Sequence, residues 1–269
     1  KTNFLTLASH ELKNPLAPLL SQLQMIEDGT LGGLNRDQQE GMEIIHKSAD
    51  HLVKLVDDIL DISRLESGRM RFGMKSIDLN SIIEDVCNAM EPVAREKSIS
   101  IKRDLGSLPR VRADHSRIRQ VLTNYMKNAV KFTNRRGRIY VGSEVQGDSV
   151  VVKVKDTGIG VRKSEYHKIF NPFFQAKEVA GKRELGFGLG LTISKGIVEE
   201  HGGEVGVESG FGRGSTFWFT LPLKKRSKSN KEPKGRPAGK KATGKKAAGK
   251  KNSNKTRQSK KKKIKNRKR

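Results

Sequence analysis

The N-terminal quarter of the chain alternates apolar and polar residues with the spacing of a helix. Apolar residues recur at gaps of three and four from Leu5 to Ile26, and again from Met42 to Ile59. This spacing places them along one face of a helix. The run Gly29–Gly33 interrupts the pattern, and Asn35 followed by Gln38 has the form of a capping box that restarts a helix. The pattern therefore predicts a helical hairpin.

The predicted hairpin, residues 1–68, has more apolar surface than two helices can hide from each other. Pairing with a second copy would bury the rest of the stripe in a four-helix bundle. We therefore expect a homodimer.

After the hairpin, helical and strand patterns are mixed. Helical patterns cover residues 78–97, 114–133 and 189–201, and the last of these ends at a Gly-Gly pair typical of a C-cap. Strand patterns cover residues 99–102, 138–145, 149–155, 203–208 and 215–221. Helices on one side of a mostly antiparallel sheet make a two-layer α/β sandwich. We assign this domain to residues 78–223 and a hinge to residues 69–77.

The positive charge is concentrated at the C-terminal end. Residues 224–269 carry +22 of the formal net charge of +26, so the remainder is close to neutral at +4. This lysine-rich tail has too few apolar residues to offset the entropy of ordering, and we expect it to be disordered. It should bind polyanions without sequence preference, because it lacks aromatic residues for base stacking. Binding to anionic membranes, or simply keeping the protein soluble, would explain the basic tail equally well. A nucleic-acid-binding scaffold without catalytic activity is one alternative function for the protein.

His10 lies two residues before the core-facing Leu12, so it should project beside the bundle seam. The following Glu11 can hold one ring nitrogen through its N–H, which leaves the other nitrogen's lone pair free to attack. Asn14 falls one turn later on the same face, where its amide could position a water or an oxygen. Pro15 removes a backbone donor, so a kink or loosening is expected there. The alternative is an ordinary polar helix face.

A second cluster lies on the predicted helix 114–133. Asn124, Asn128 and Lys131 share one ridge beside an apolar ridge that ends at Phe132. Two amides and an ammonium on one face suit a hydrated Mg²⁺ and a triphosphate, since Mg²⁺ keeps several waters and needs few protein ligands. A solvated helix face is the alternative.

Asp156 follows a strand pattern and is followed by Gly158 and Gly160. A carboxylate at a strand end can accept a hydrogen bond from an adenine amino group, and glycines allow close backbone approach. The same pattern also occurs in simple turns.

A second glycine cluster leads into the predicted helix 189–201. It comprises Gly186, Gly188, Leu189, Gly190 and Leu191. Free amides at a helix start bind phosphates, although a flexible linker has a similar composition. Between the two glycine clusters, residues 166–185 include the aromatic Phe173 and have the composition of a mobile lid, or of a plain surface loop.

Six motifs in this order resemble those of the sensor histidine kinases of two-component signalling. They are the box around His10 (residues 4–15), the box around Asn124 and Asn128 (120–133), the first glycine box (156–160), an aromatic box (169–174), the second glycine box (186–191) and a final box (212–217). The resemblance covers nearly all of residues 1–223. It implies a dimerisation and phosphotransfer domain followed by an ATP-binding domain of the Bergerat type shared with gyrase, Hsp90 and MutL.

The resemblance also implies roles for individual residues. His10 would accept the phosphoryl group with Glu11 as proton partner, and Asn14 would position water if the protein dephosphorylates its regulator. Asn128 would bind Mg²⁺ and Asp156 would read the adenine of ATP. The partners implied are a second copy of the chain and the aspartate of a response regulator. The nucleotide site would further include Asn124, Lys131, Phe132, Gly158, Gly160, Phe173, Gly186, Gly188, Leu189, Gly190, Leu191 and Thr216.

An ATPase of the gyrase type is the second rival. Those enzymes have a glutamate as general base four residues before the metal-binding asparagine, and here that position is Asn124, which cannot take a proton at neutral pH. Phe187 departs from the small residue that the family often has.

Cys87 is the only cysteine, in an apolar helical pattern, and should be a small buried residue rather than part of a disulfide. No apolar run is long enough to span a membrane, and the chain begins at Lys1 rather than Met. We expect a cytoplasmic protein, or the cytoplasmic portion of a larger membrane-attached sensor.

Overall fold

The computed structural model describes residues 2–176 and 187–223, and for residues 2–13 it describes the backbone alone. The predicted tail, residues 224–269, lies outside this part of the chain. The helices are α1 Thr2–Glu27, α2 Arg36–Glu66, α3 Leu79–Glu96, α4 His115–Phe132 and α5 Gly190–Glu200. The strands are β1 Lys75–Ile77, β2 Ser100–Leu105, β3 Val111–Ala113, β4 Arg138–Gln146, β5 Ser149–Asp156, β6 Val205–Gly210 and β7 Gly214–Pro222. Among these helices, none is both long and apolar enough to cross a bilayer.

Helices α1 and α2 form the predicted hairpin. The capping box at its second helix is confirmed, because the Asn35 side chain accepts from the Gln38 amide and the Gln38 side chain accepts from the Asn35 amide, each at 2.9 Å. The apolar residues predicted for one face of each helix fall into two sets, buried and half-exposed. Leu16, Leu23, Ala49 and Val56 are buried within the chain, whereas Leu19, Ile45 and Leu52 remain 45–49% exposed.

The second region is the predicted two-layer sandwich. Its five strands lie in the order β2-β4-β5-β7-β6, and β2 is parallel to β4 while the other pairs are antiparallel. Buried residues alternate along β4, β5 and β7, so one face of the sheet packs against α3, α4 and α5. Asp78 and Asp114 cap the starts of α3 and α4, since each side chain accepts from the amide three residues later. Cys87 is buried, as expected.

The segment predicted as a hinge is attached to the sandwich over much of its length. Its strand β1 pairs with β3 in a small second sheet that the sequence pattern did not predict. The Gly73 amide donates to the Asp114 carboxylate at 2.6 Å, and the Phe72 ring packs edge-on against His201 at 5.1 Å. The buried His201 in turn accepts from the Asp114 amide at 2.9 Å. Before these contacts, Gly68 has a φ of +64°, which favours glycine.

Helix α2 packs directly on two helices of the sandwich. Gly196 of α5 faces Leu65 of α2 so closely that a Cβ would lie 2.8 Å from the leucine. Asp61 of α2 accepts from Arg117 at 2.9 Å and from Gln120 at 3.0 Å, both on α4. The Asp61 side chain is 14% exposed, so this ion pair is shielded from solvent.

We expect Asp61→Ala to lower the free energy of unfolding by ~1–3 kcal/mol, because two half-buried donors lose their acceptor. Thermal unfolding followed by circular dichroism measures this. The matched control is Glu43→Ala, which removes an ion pair with Lys47 on the exposed surface of the same helix. Exposed pairs contribute little, so the control should change stability by less than ~0.5 kcal/mol. Equal losses in the two variants would contradict the importance of the Asp61 contact.

Candidate active site

A cavity of about 470 Å³ lies between α4, the start of α5 and the ends of β5 and β7. This volume is within the range of small-molecule sites. Its lining from the sandwich comprises Asn124, Lys127, Asn128, Lys131, Phe132, Asp156, Ile159, Gly160, Val161, Ile169, Phe174, Gln175, Ala176, Phe187, Gly188, Leu189, Gly190, Leu191, Ser215 and Phe217.

Helix α4 supplies one wall of the cavity. Asn124, Asn128, Lys131 and Phe132 all line it. The amide of Asn124 donates to the Ser194 hydroxyl on α5 at 3.0 Å. Asn124 therefore also joins α4 to α5.

Lys131 lies in a partly desolvated, positively charged setting. Burial lowers the pKa of its ammonium to about 8, with further contributions from Lys54 and Lys97. Its ammonium also lies 5.1 Å from the centre of the Phe132 ring. The charge of Lys131 therefore changes in a pH range that is accessible to binding experiments.

Asp156 ends β5 and is buried at the base of the cavity. Its Oδ1 accepts from the Gly158 amide at 2.7 Å and from the Ser215 amide at 3.3 Å. Burial raises the pKa of the carboxyl, and these two amides partly oppose that effect. Within residues 2–176 and 187–223, no donor reaches Oδ2, so this oxygen can accept a hydrogen bond from a ligand.

The first glycine box is required by backbone packing. A Cβ on Gly158 would collide with the carbonyl of Phe132, and the neighbouring Ile159 amide donates to that carbonyl at 3.2 Å. Gly160 has a φ of +71° and faces the backbone of Gly210. Gly158 is not part of the cavity wall. The absence of a side chain at this position instead allows the loop after β5 to pack closely against α4.

The second glycine box forms the opposite side of the cavity. Gly188, Leu189, Gly190 and Leu191 line it, and α5 begins there without a side-chain cap. Uncapped amides at a helix start favour an anion. Gly190 packs against the side chain of Asn124, where a Cβ would collide. Gly186 lies outside the described residues, as does the rest of the predicted lid from residue 177 to 185.

Besides Gly158, two residues predicted for the nucleotide site lie away from the cavity wall. Phe173 is 64% exposed, and Phe174 and Ile169 line the cavity instead. Thr216 also points elsewhere, because side chains alternate along β7 and its neighbours Ser215 and Phe217 are the ones that line the cavity.

The residues of the first motif lie on α1. His10 and Glu11 fall within the stretch whose backbone alone is described, and Asn14 is exposed one turn later. The helix continues through Pro15 and Pro18.

Helix α2 contributes a part of the cavity wall that the sequence motifs did not predict. Asp50, His51, Lys54 and Asp58 line the cavity from this side. In the sequence they belong to the polar face of an amphipathic helix. No local pattern distinguishes such a face from one that packs beside a distant domain.

Two family models match the chain. Residues 1–68 match the His Kinase A (phospho-acceptor) domain, and residues 113–225 match the histidine kinase-, DNA gyrase B- and HSP90-like ATPase. The phospho-acceptor match separates this chain from the gyrase-type ATPases, which the second model also includes.

The chain belongs to the sensor histidine kinases.

Comparisons with individual family members agree with this assignment. The chain is 36% identical over 225 residues to the circadian input-output histidine kinase CikA of Synechococcus elongatus, covering 82% of this chain and 30% of that protein. It superimposes on full-length ShkA in complex with AMPPNP with a TM-score of 0.72 and 33% identity, covering 83% of this chain and 46% of that one. The catalytic domain of histidine kinase ThkA is 33% identical with a TM-score of 0.51, covering 57% of this chain and 97% of that one. The chain spans about a third of the length of the curated relatives it matches.

Proposed function

We propose that this chain is an ATP-dependent protein histidine kinase that autophosphorylates His10. The observation that carries the proposal is the combination of a phospho-acceptor region with the cavity lined by Asn128, Lys131 and Asp156. We further propose the bounds 1–68 for the dimerisation and phosphotransfer domain, 69–77 for the hinge and 78–223 for the ATP-binding domain. Transfer would then proceed to an aspartate of a response regulator.

The arrangement of charge supports an orientation for ATP. The Oδ2 of Asp156 is a hydrogen-bond acceptor at the base of the cavity, which suits the adenine amino group. The uncapped start of α5 and the Lys131 ammonium lie along the remaining walls and suit the phosphates. The cavity thus presents an acceptor for the base and donors for the triphosphate.

The residues present fit a magnesium ion delivered with the nucleotide. The described residues contain no group of three or more histidine, cysteine, aspartate or glutamate side chains able to hold a metal. Mg²⁺ needs few protein ligands when phosphates and water complete its shell, and the amide oxygen of Asn128 is a suitable hard ligand. When bound, the ion would neutralise charge on the phosphate oxygens.

The reaction we propose is an in-line displacement at the γ-phosphorus. The lone pair of one His10 ring nitrogen forms the new P–N bond while the bond to the bridging oxygen breaks and ADP leaves. Glu11 holds the N–H of the other ring nitrogen, stabilises the positive charge that develops on the ring and accepts that proton.

The amide side chain of Asn124 favours transfer of the phosphoryl group to histidine over hydrolysis of ATP. An amide cannot act as a base at neutral pH, and this one is held against Ser194 and Gly190. A water near the γ-phosphate therefore has no carboxylate at this position to activate it. A positioned imidazole needs no such activation.

We propose a homodimer formed through the hairpin. The half-exposed Leu19, Ile45 and Leu52, together with the more exposed Ile44, form an apolar surface that a second hairpin would cover. We also propose that the kinase dephosphorylates its regulator, because Asn14 is exposed one turn from His10 and its amide can orient a water.

The proposal is tested by incubating the purified chain with ATP and mapping the modified residue by mass spectrometry. The expected product carries one acid-labile phosphate on His10. Turnover of ATP without any modified protein would overturn the proposal.

We expect the affinity for ATP to fall as the pH rises from 7.5 to 9. A neutral Lys131 amine binds phosphate less well than the ammonium, and burial lowers the pKa of this group to about 8. The fraction of ammonium should decrease by about tenfold one unit above that pKa. Calorimetric titration at constant ionic strength measures the affinity. Lys131→Arg is the control and should show a flat profile, because arginine stays charged; a wild-type profile that is equally flat would contradict the role of Lys131.

A further inference from the structure

One face of the hairpin helix α2 closes the nucleotide cavity. Its contributing side chains recur at helical spacing, at positions 50, 51, 54 and 58. This face is held toward the cavity by the Asp61 contacts and by Leu65 against Gly196. The cavity is therefore built by the hairpin as well as by the sandwich.

Lys54 occupies a defined position along the cavity. It also lines an adjoining cavity of about 330 Å³, together with Asn124, Lys127 and Gly190. Asp156 lines only the first cavity. Lys54 is therefore at the end near the start of α5, away from the proposed adenine position.

The surroundings of Lys54 are rich in positive charge. Lys54 interacts electrostatically with Lys127 and Lys131 across the gap between α2 and α4. Burial is the main cause of the lowered pKa of both lysines, and the charge of Lys54 is the next. The nearby Asp58 carboxyl has its pKa raised by burial, an effect that Lys54 opposes. Three ammonium groups thus converge on a region to which α2 contributes two carboxylates, Asp50 and Asp58.

A lysine on an exposed helix face can pair with a carboxylate four residues away. Lys47 does so, with its ammonium 2.9 Å from Glu43. Lys54 is also exposed, but among residues 2–176 and 187–223 it forms no comparable ion pair with Asp50 or with Asp58. Its placement fits an anion in the cavity better than a surface ion pair.

We propose that Lys54 of α2 binds the terminal phosphate of ATP held in the sandwich of the same chain. This inference rests on the proposed function. ATP thereby bridges the two parts of the chain, since its base contacts β5 and its phosphates contact both α4 and α2. ADP lacks the group that reaches Lys54.

The test compares the dissociation constants of ATP and ADP for the wild type, Lys54→Ala and Lys54→Arg at constant ionic strength. Lys54→Ala should weaken ATP binding by about tenfold and ADP binding by less than about twofold, because a charge-assisted hydrogen bond to one phosphate is lost. Lys54→Arg should restore most of the ATP affinity.

Lys47→Ala is the matched control, since it removes the same charge from an exposed site on the same helix. Unchanged ATP affinity in Lys54→Ala, or equal losses for ATP and ADP, would overturn the inference while leaving the kinase assignment intact. A loss of the same size in Lys47→Ala would also overturn it, as a general effect of charge. Failure of the wild type to bind ATP would instead refute the proposed function.

Discussion

Replacing His10 by glutamine is expected to reduce autophosphorylation by at least ~1,000-fold. The glutamine amide nitrogen has no available lone pair, so no nucleophile remains at this position. Glutamine is polar and forms helices well, so α1 should be preserved. Incorporation of label from γ-labelled ATP measures the effect, and ATP affinity should be unchanged.

His167→Gln is the control for loss of a histidine. His167 is exposed on the sandwich and does not line the cavity. This variant should incorporate label at the wild-type rate. Label that persists on the His10 variant and survives acid would show that a hydroxyl side chain of serine, threonine or tyrosine is the acceptor.

Replacing Asp156 by asparagine is expected to weaken ATP binding by about 10–100-fold. The variant loses a charge-assisted hydrogen bond to the adenine amino group. Fluorescence or calorimetric titration measures the affinity.

Loss of folding is not expected to explain this result. Because burial raises the folded-state pKa of Asp156, the folded protein binds this proton more tightly than the unfolded chain does. The ionised carboxylate therefore lowers stability as pH rises from the unfolded pKa through the folded one, and the neutral amide removes that penalty. The thermal midpoint of the variant should equal or exceed that of the wild type at neutral pH.

A nucleotide analogue makes the Asp156 test specific. Purine riboside triphosphate lacks the 6-amino group, so the wild type should bind it about as weakly as the Asp156→Asn variant binds ATP. The variant should discriminate little between the two nucleotides, because the contact is already lost. If the substitution and the removal of the 6-amino group each weakened binding independently, so that their effects added, Asp156 would not act on the amino group.

Much of the fold could be predicted because its signals are local. The Asn35–Gln38 box, the aspartate caps of α3 and α4, and the glycine turn between β4 and β5 are each set by a few consecutive residues. Strands β1 and β3 were missed because three residues carry too little pattern, and their pairing joins segments more than 30 residues apart. The parallel pairing of β2 with β4 is likewise a property of the assembled sheet.

The residues of the candidate site also fall into two groups, those that local motifs predict and those that depend on how the elements pack. Motif spacing was sufficient to place Asn128, Lys131 and Asp156 at one cavity. It was insufficient for the choice between Ser215 and Thr216, which depends on which face of β7 is covered. The part played by Lys54 could not be predicted, since it depends on how α2 packs beside α4 and α5.

Helix α2 presents two different faces, with Leu52 and Ile45 on exposed apolar surface and Lys54 on the nucleotide cavity. A helix turns by about 100° per residue, so a modest twist about its long axis moves both faces together. Rotation of α2 about its axis would therefore move the exposed apolar surface and the cavity wall at once. The dimer contact and the phosphate contact proposed above would then change together.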